Sequence, residues 1–223
     1  MPRSVHVSGS SDGLREALVE RLERAGAKLV AEPEKAEVTI QIDGQDKCDI
    51  AIIPPGSDPP EAGIVIELSD VIIPNGGRKW GNGAITDWVE QIMCGEKPDL
   101  EHIVRFWVNI RDVVDAISTI CLNQDEKIPD GNYRMCGRRG WEMEDVTDEI
   151  RVLWKRYNNS INHSHTIESL SEVPSPVRGI HSKIEERPDL SNLHQVLLRC
   201  GGDGWHPLVP MRVSLMEMIA SAN

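Results

Sequence analysis

The chain has 223 residues, of which 39% are hydrophobic and 27% are charged, and this is the composition of a globular protein rather than of a disordered one. The formal net charge of -12 at pH 7 disfavours binding to nucleic acid and to anionic membranes, because such a surface repels phosphate groups. The five cysteines include no Cys-x-x-Cys pair, and no apolar signal core follows the first residues, so we expect reduced thiols and a cytoplasmic location.

The first third of the chain alternates short strands with a single helix. A strand over 4–8 leads through a turn into a helix over 14–25, whose apolar residues recur at helical spacing. Further strands are predicted at 28–31, 37–42, 49–53, 63–68 and 71–73. Four prolines between 54 and 60 exclude a helix from that connection. This order of elements predicts an α/β layered domain.

The rest of the chain is richer in helices. Helices are predicted at 84–94, 111–122, 142–157, 190–199 and 210–221, and strands at 103–108 and 132–135. The apolar stripe of the helix over 111–122 indicates core packing. Residues 158–188 are polar, and we expect short strands among them.

Four segments carry motifs of a known family: 7–14, 72–75, 105–117, and 187–189 taken with 204–207. The third reads Arg-Phe-Trp-Val-Asn-Ile-Arg-Asp-Val-Val-Asp-Ala-Ile, and the fourth combines Arg-Pro-Asp with Gly-Trp-His-Pro. In order and spacing the last three resemble landmarks of the extended short-chain dehydrogenase/reductase family, the NAD-dependent nucleotide-sugar epimerases and dehydratases. The first stands where that family has its glycine-rich turn.

The resemblance implies a reduced Rossmann-like parallel sheet with a small mixed α/β C-terminal substrate lobe. Residues 1–74 would form a truncated nucleotide-binding part and residues 75–223 the substrate lobe. If a cofactor binds, it is NAD or NADP, and the resemblance places it against Gly9, Ser10, Ser11 and Gly13. A nucleoside diphosphate sugar is the implied ligand, with Asn75, Arg105 and Arg187 as its contacts. No metal is implied, and the protein partner is a second copy of the chain or a full-length relative.

The chain departs from the family at the residues that carry its chemistry. Asp12 and Arg15 stand where the second and third glycines of the dinucleotide motif belong. The family's Tyr-x-x-x-Lys is missing, because Tyr133 and Tyr157 are the only tyrosines and neither has a lysine four places on. We therefore predict a degenerate active site. The alternative is a non-catalytic nucleotide-binding or assembly subunit that reuses the fold.

The predicted ligand contacts also have simpler explanations. Arg105 and Arg187 would be surface arginines paired with Glu101 or Glu185, and Asn75 a turn residue. Trp80 either stacks on a ligand or packs in the core.

Three further patterns allow two interpretations each. Residues 9–13 also match a hydrolase Gly-x-Ser-x-Gly turn, and the alternative is a helix cap made by Ser11 or Asp12. The pair Arg138–Arg139 is either a small anion site or a solvated loop. The histidines at 163, 165, 181, 194 and 206 are either metal ligands or solvated side chains.

Overall fold

The computed structural model describes residues 2–100, 103–124, 128–162, 166 and 187–222. Its strands are β1 (Ser4–Gly9), β2 (Lys28–Leu29), β3 (Val38–Ile42), β4 (Cys48–Ile53), β5 (Ala62–Leu68), β6 (Val71–Ile72), β7 (Val104–Arg105), β8 (Val108–Asn109), β9 (Gly131–Met135) and β10 (Trp141–Glu142). Its helices are α1 (Gly13–Arg24), α2 (Asn82–Met93), α3 (Ile110–Leu122), α4 (Met143–Ile161), α5 (Ser191–Arg199) and α6 (Met211–Ser221), and Pro33–Lys35 form a 3-10 turn.

A six-stranded parallel sheet in the order β2-β1-β3-β4-β5-β9 organises the molecule. From β1 the chain runs to β2 on one side and then to β3 on the other, so the strand order reverses between β1 and β3. In open parallel sheets, ligands bind in the crevice at the carboxyl ends of the strands where the order reverses. The predicted α/β fold with a Rossmann-like parallel sheet is confirmed.

Two connections in this sheet are unusually short. Residues 43–47 join β3 to β4 and residues 54–61 join β4 to β5, whereas parallel neighbours usually need a crossover of about a dozen residues or more, most often a helix. The prolines explain the absence of a helix from the second connection.

Helices cover one face of the sheet. Alternate strand residues such as Ile40 and Ile52 share an apolar core with Leu18 of α1, Ile117 of α3 and Val196 of α5. The opposite face carries polar side chains that bond to one another across strands. Ser8 donates to Gln41, and the hydroxyl of Thr39 donates to Asp49 at 2.7 Å.

A second apolar core lies apart from the six-stranded sheet. It joins α2, α4 and α6 through Ile85, Ile150 and Leu215, with Trp107 between them. The rings of Trp88 and Trp107 meet edge to face at 6.5 Å. None of the described helices combines the length and the apolar character that crossing a membrane requires.

The prediction of one strand over 103–108 was wrong, because the segment changes partners in its middle. β7 pairs with β10, whereas β8 pairs with β6. Asp70 causes the change: its carboxylate accepts from the amide of Phe106 at 2.9 Å, and its carbonyl accepts from the amide of Val108 at 2.9 Å.

Candidate functional site

The turn from β1 into α1 lies at the strand-order reversal. Gly9 has φ +95°, and a Cβ atom there would lie 2.0 Å from the carbonyl oxygen of Ile42. The amide of Ser10 donates to the same oxygen at 2.7 Å. Only glycine fits at position 9, because β1 and β3 approach each other so closely at this point.

Asp12 uses both carboxylate oxygens within the chain. Oδ1 accepts from the backbone amide of Arg15 at 3.2 Å, which caps α1. Oδ2 accepts from the indole nitrogen of Trp80 at 3.0 Å. The helix-cap interpretation of residues 9–13 is therefore confirmed for Asp12, and the negative charge stands where the dipole of α1 stabilises it.

Residues 74–81, which we call the strap, lie against this turn. A Cβ atom on Gly13 would lie 2.7 Å from the Cα atom of Gly76, so the two backbones are in direct contact. Trp80 is only 5% exposed. Its ring packs in the main core, which agrees with the packing interpretation of this tryptophan.

Lys79 of the strap crosses the opening between β1 and β3. Its ammonium group donates to Ser10 Oγ at 2.8 Å and pairs with Asp43 Oδ2 at 2.7 Å. Ser10 follows β1 and Asp43 follows β3, so Lys79 bridges the carboxyl ends of the two strands between which the order reverses. Four residues were predicted to hold a cofactor. Gly9, Ser10 and Gly13 each lie in close contact with another segment of the chain, whereas Ser11 is exposed to solvent.

Neither tyrosine is placed as a proton donor. The hydroxyl of Tyr133 donates to the carbonyl of Pro129 at 2.6 Å, and burial raises the pKa of Tyr133. The family's chemistry needs a tyrosine whose pKa is lowered. Tyr157 stacks on Trp154, with the ring centres 5.8 Å apart.

A cleft of about 520 Å³ opens between the carboxyl end of β9 and the first turn of α6. The loop after β9 lines it with Gly137, Arg138 and Arg139, and Trp141 of β10 continues this wall. The segment 207–212, apart from Leu208, forms the opposite wall. This segment includes the N-terminus of α6. A helix N-terminus favours negative charge through its free amides.

Two arginines at the cleft pair with no carboxylate among the described residues. Arg138 Nη1 donates to Nδ1 of His206 at 2.6 Å, and the guanidinium of Arg139 lies 4.1 Å from the centre of the Trp141 ring. Neither contact brings a negative charge. A cation stacked on an indole face stays available to an anion on its other side.

The third arginine at the cleft is paired. Arg212 forms an ion pair with Glu149, whose side chain is 9% exposed. Glu149 is the one acidic side chain among the described residues that line the cleft. The lining therefore keeps a surplus of positive charge from Arg138 and Arg139, although the whole chain is strongly acidic.

Asp112 fixes one wall of the cleft from helix α3. Its carboxylate accepts from the amides of Leu208 and Val209 at 2.8 and 3.1 Å. Burial raises the pKa of Asp112, and these two hydrogen bonds oppose that rise. Trp205 anchors the same segment, because its indole donates to the carbonyl of Cys136 at 2.9 Å.

The three predicted substrate contacts lie outside the described lining of this cleft. Arg105 pairs with Asp70 at 3.4 Å, and its guanidinium lies 5.6 Å from the ring centre of Trp107, which does line the cleft. Asn75 is an exposed strap residue with φ +58°, as a turn requires. Arg187 is exposed on the segment that leads into α5. Glu101 and Glu185, the alternative partners considered for the arginines, lie outside the described residues.

Sequence reasoning missed most of the cleft. Trp141, Glu149 and Arg212 lie in segments that were assigned only to secondary structure. The pair Arg138–Arg139 between two glycines was the one available signal, and this loop does line the cleft.

No group of three potential metal ligands occurs among the residues that the structure describes. The rings of His194 and His206 meet edge to face at 5.1 Å. The other three histidines considered as ligands, at 163, 165 and 181, lie outside the described ranges.

No protein-family model matches the chain, and no curated protein matches it. Solved structures do. RMD from Pseudomonas aeruginosa complexed with NADPH is similar over 99% of this chain and 97% of that chain, with a TM-score of 0.61 and 12% identity. The Bordetella bronchiseptica enzyme WbmF in complex with NAD+ and UDP is similar over 99% and 92%, with a TM-score of 0.60 and 11% identity.

UDP-glucose 4-epimerase from Thermotoga maritima, solved with UDP-glucose, is similar over 98% of each chain, with a TM-score of 0.60 and 12% identity. At this identity the likeness is one of fold. The fold that the sequence motifs implied, that of the extended short-chain dehydrogenases/reductases, is therefore confirmed.

Proposed function

We propose that this chain, which has the fold of nucleotide-sugar epimerases, binds the diphosphate of a nucleoside diphosphate sugar in the cleft between β9 and α6. The observation that carries the proposal is the pair Arg138 and Arg139, which pair with no carboxylate among the described residues and line a cleft of about 520 Å³. Guanidinium groups suit diphosphate because they donate two parallel hydrogen bonds to its oxygens. UDP and UDP-glucose are named with two of the similar structures, which supports this class of ligand.

The proposal excludes the standard tyrosine-dependent proton transfer. Tyr133 is committed to a backbone carbonyl and has a raised pKa, so it holds its proton more tightly than a free tyrosine. Tyr157 is stacked on Trp154 and has no lysine four places on. Binding without redox chemistry at these tyrosines is the function that the described residues support.

Arg105, Arg187 and Asn75 have a smaller role in this proposal than the family landmarks imply. Arg105 acts through Trp107, on whose ring it lies, and is a positioning residue for one wall of the cleft. Arg187 and Asn75 are exposed and lie outside the described lining of the cleft.

Isothermal titration calorimetry with UDP-, GDP-, CDP- and dTDP-glucose tests the proposal. One of these ligands should bind, and Arg138→Ala and Arg139→Ala should each weaken its binding by about 1.5–3 kcal/mol, the range for hydrogen bonds to charged groups. Arg105→Ala and Arg187→Ala should weaken it less.

Arg24→Ala is the matched control, because Arg24 pairs with Glu20 on the exposed side of α1. It should leave the affinity unchanged. Arg212→Ala is not a suitable variant, because it would leave the buried Glu149 without its partner. A loss of stability could then be mistaken for a loss of binding. The proposal would be contradicted if both the Arg138 and Arg139 variants kept the wild-type affinity and melting temperature. It would also be contradicted if none of the four sugar nucleotides bound.

A further inference from the structure

We propose that the strap, residues 74–81, occupies the place of the dinucleotide pyrophosphate, so that this chain closes its own cofactor crevice and binds neither NAD nor NADP. In this fold the pyrophosphate lies on the turn between the first strand and the first helix, where the strand order reverses. The residues at that turn do not fit the group, for three independent reasons.

The first reason is space. The glycines of a dinucleotide turn let the pyrophosphate approach the backbone. At Gly13 the backbone of Gly76 already takes that approach, since a Cβ atom on Gly13 would lie 2.7 Å from the Cα atom of Gly76 and 2.8 Å from Cγ2 of Ile73. A phosphate group is larger than a methyl group and finds less room.

The second reason is charge. The amide of Arg15 at the start of α1 is bonded to the carboxylate of Asp12, so this donor is not offered to a phosphate. A pyrophosphate here would face that carboxylate at close range, and like charges repel most strongly where water is excluded.

The third reason is the bridge across the crevice. Lys79 holds Ser10 and Asp43 together, and Trp80 holds Asp12. A dinucleotide would have to break all of these contacts. The ammonium of Lys79 joins the two strand ends between which a cofactor would be held.

The strap is fixed from its other end as well. Asn82, the first residue of α2, is 1% exposed. Its side chain accepts from the amide of Ile73 at 3.0 Å and donates to the carbonyls of Ile73 and Gly77 at 2.9 and 2.7 Å. These bonds fix both ends of the strap in one shape and tie it to the first residue of α2.

The first test is whether Gly13→Ala raises or lowers the melting temperature. Alanine is favoured over glycine in a helix, so this change raises the melting temperature where nothing lies against position 13. If Gly76 lies there, the melting temperature falls by about 3 °C or more. A rise would overturn the proposal.

Trp80→Phe is the second variant, in case Gly13→Ala does not fold. It keeps an aromatic ring and removes the donor to Asp12. The control is Trp154→Phe, because Trp154 stacks on Tyr157 away from the strap. Trp80→Phe should lower the melting temperature more than this control does. An equal effect of the two changes would count against the bridge.

The wild-type protein is then heated with NAD+, NADH, NADP+ and NADPH at about 1 mM, where a ligand with micromolar affinity raises the melting temperature measurably. No shift is expected with any of them. A shift would overturn the proposal. These readouts are independent of the sugar-nucleotide site, since neither Gly13 nor Trp80 lines the cleft, so either proposal can fail alone.

Discussion

The cysteines differ in how far their sulfurs lie from solvent. Burial raises the pKa of Cys136 to about 11 and that of Cys121 to about 12, so both remain protonated near neutral pH. Cys48 is half-buried, with its pKa also raised to about 11, whereas Cys94 is exposed. The thiolate is the reactive form, and reactivity should follow this order of exposure.

Iodoacetamide labelling of the native protein checks this expectation. Peptide mass spectrometry should find Cys94 labelled first, and Cys121 and Cys136 labelled only after denaturation. Early labelling of Cys136 would mean that the segment joining β9 to the cleft opens far more than the structure indicates.

Asp12 shows at the scale of one residue what sequence reasoning reached and what it missed. The sequence marks it as a departure from the glycine motif, and predicts that an aspartate before a helix is a cap. The cap is present. The partner of its second oxygen, Trp80, was not predictable, because the two residues are 68 positions apart and no local pattern joins them.

At the scale of elements, Glu37 fastens the start of β3 to the start of β1. One carboxylate oxygen accepts from the backbone amide of Ser4 at 2.7 Å and from its hydroxyl at 3.0 Å. These bonds, the backbone one first, lower the pKa of Glu37 below its ordinary value of 4.5. Because the folded pKa is lowered, the stabilisation is present above the ordinary value and is lost as pH falls through the folded pKa.

Glu37→Gln should therefore unfold at a lower temperature than wild type at about pH 7, and the difference should shrink toward about pH 3. Thermal denaturation followed by circular dichroism measures it, with Glu34→Gln on the neighbouring exposed turn as the control. A difference that stays constant across this pH range would show that the carboxylate charge at position 37 contributes nothing.

Most elements were predictable because their apolar periodicity is strong and their ends are marked. Helix α3 was predicted at 111–122 and begins at Ile110, since Asn109 caps it. The segment 103–108 failed for a reason that periodicity does not contain. Asp70, which lies far from it in sequence, bonds to two of its backbone amides and divides it between two small sheets.

At the scale of the whole molecule, the sheet combines a reversal of strand order with several connections that contain no helix. The short connections 43–47 and 54–61 replace the helical crossovers typical between parallel strands, and the described helices α1, α3 and α5 pack on one face. The sequence predicts that the second of these connections contains no helix, because four prolines lie in it. It did not predict the cleft, whose walls come from segments brought together only by the fold.

The two proposed sites lie in different parts of the chain. In our two proposals the strap fills the crevice where a dinucleotide would bind, and the cleft at Arg138 and Arg139 binds a diphosphate. Both features follow from the same strand order, which places the turn after β1 and the loop after β9 at the carboxyl edge of one sheet. We propose that ligand binding survives here without the cofactor.

Hydrogen–deuterium exchange followed by mass spectrometry tests this separation most directly, because one measurement locates both ligands. UDP-glucose, or whichever of the four sugar nucleotides binds, should slow exchange in 137–141 and 207–214, and NAD+ should leave residues 9–15 and 74–81 unchanged. Slower exchange in 9–15 with NAD+, and none in the cleft with any sugar nucleotide, would contradict the account in both parts.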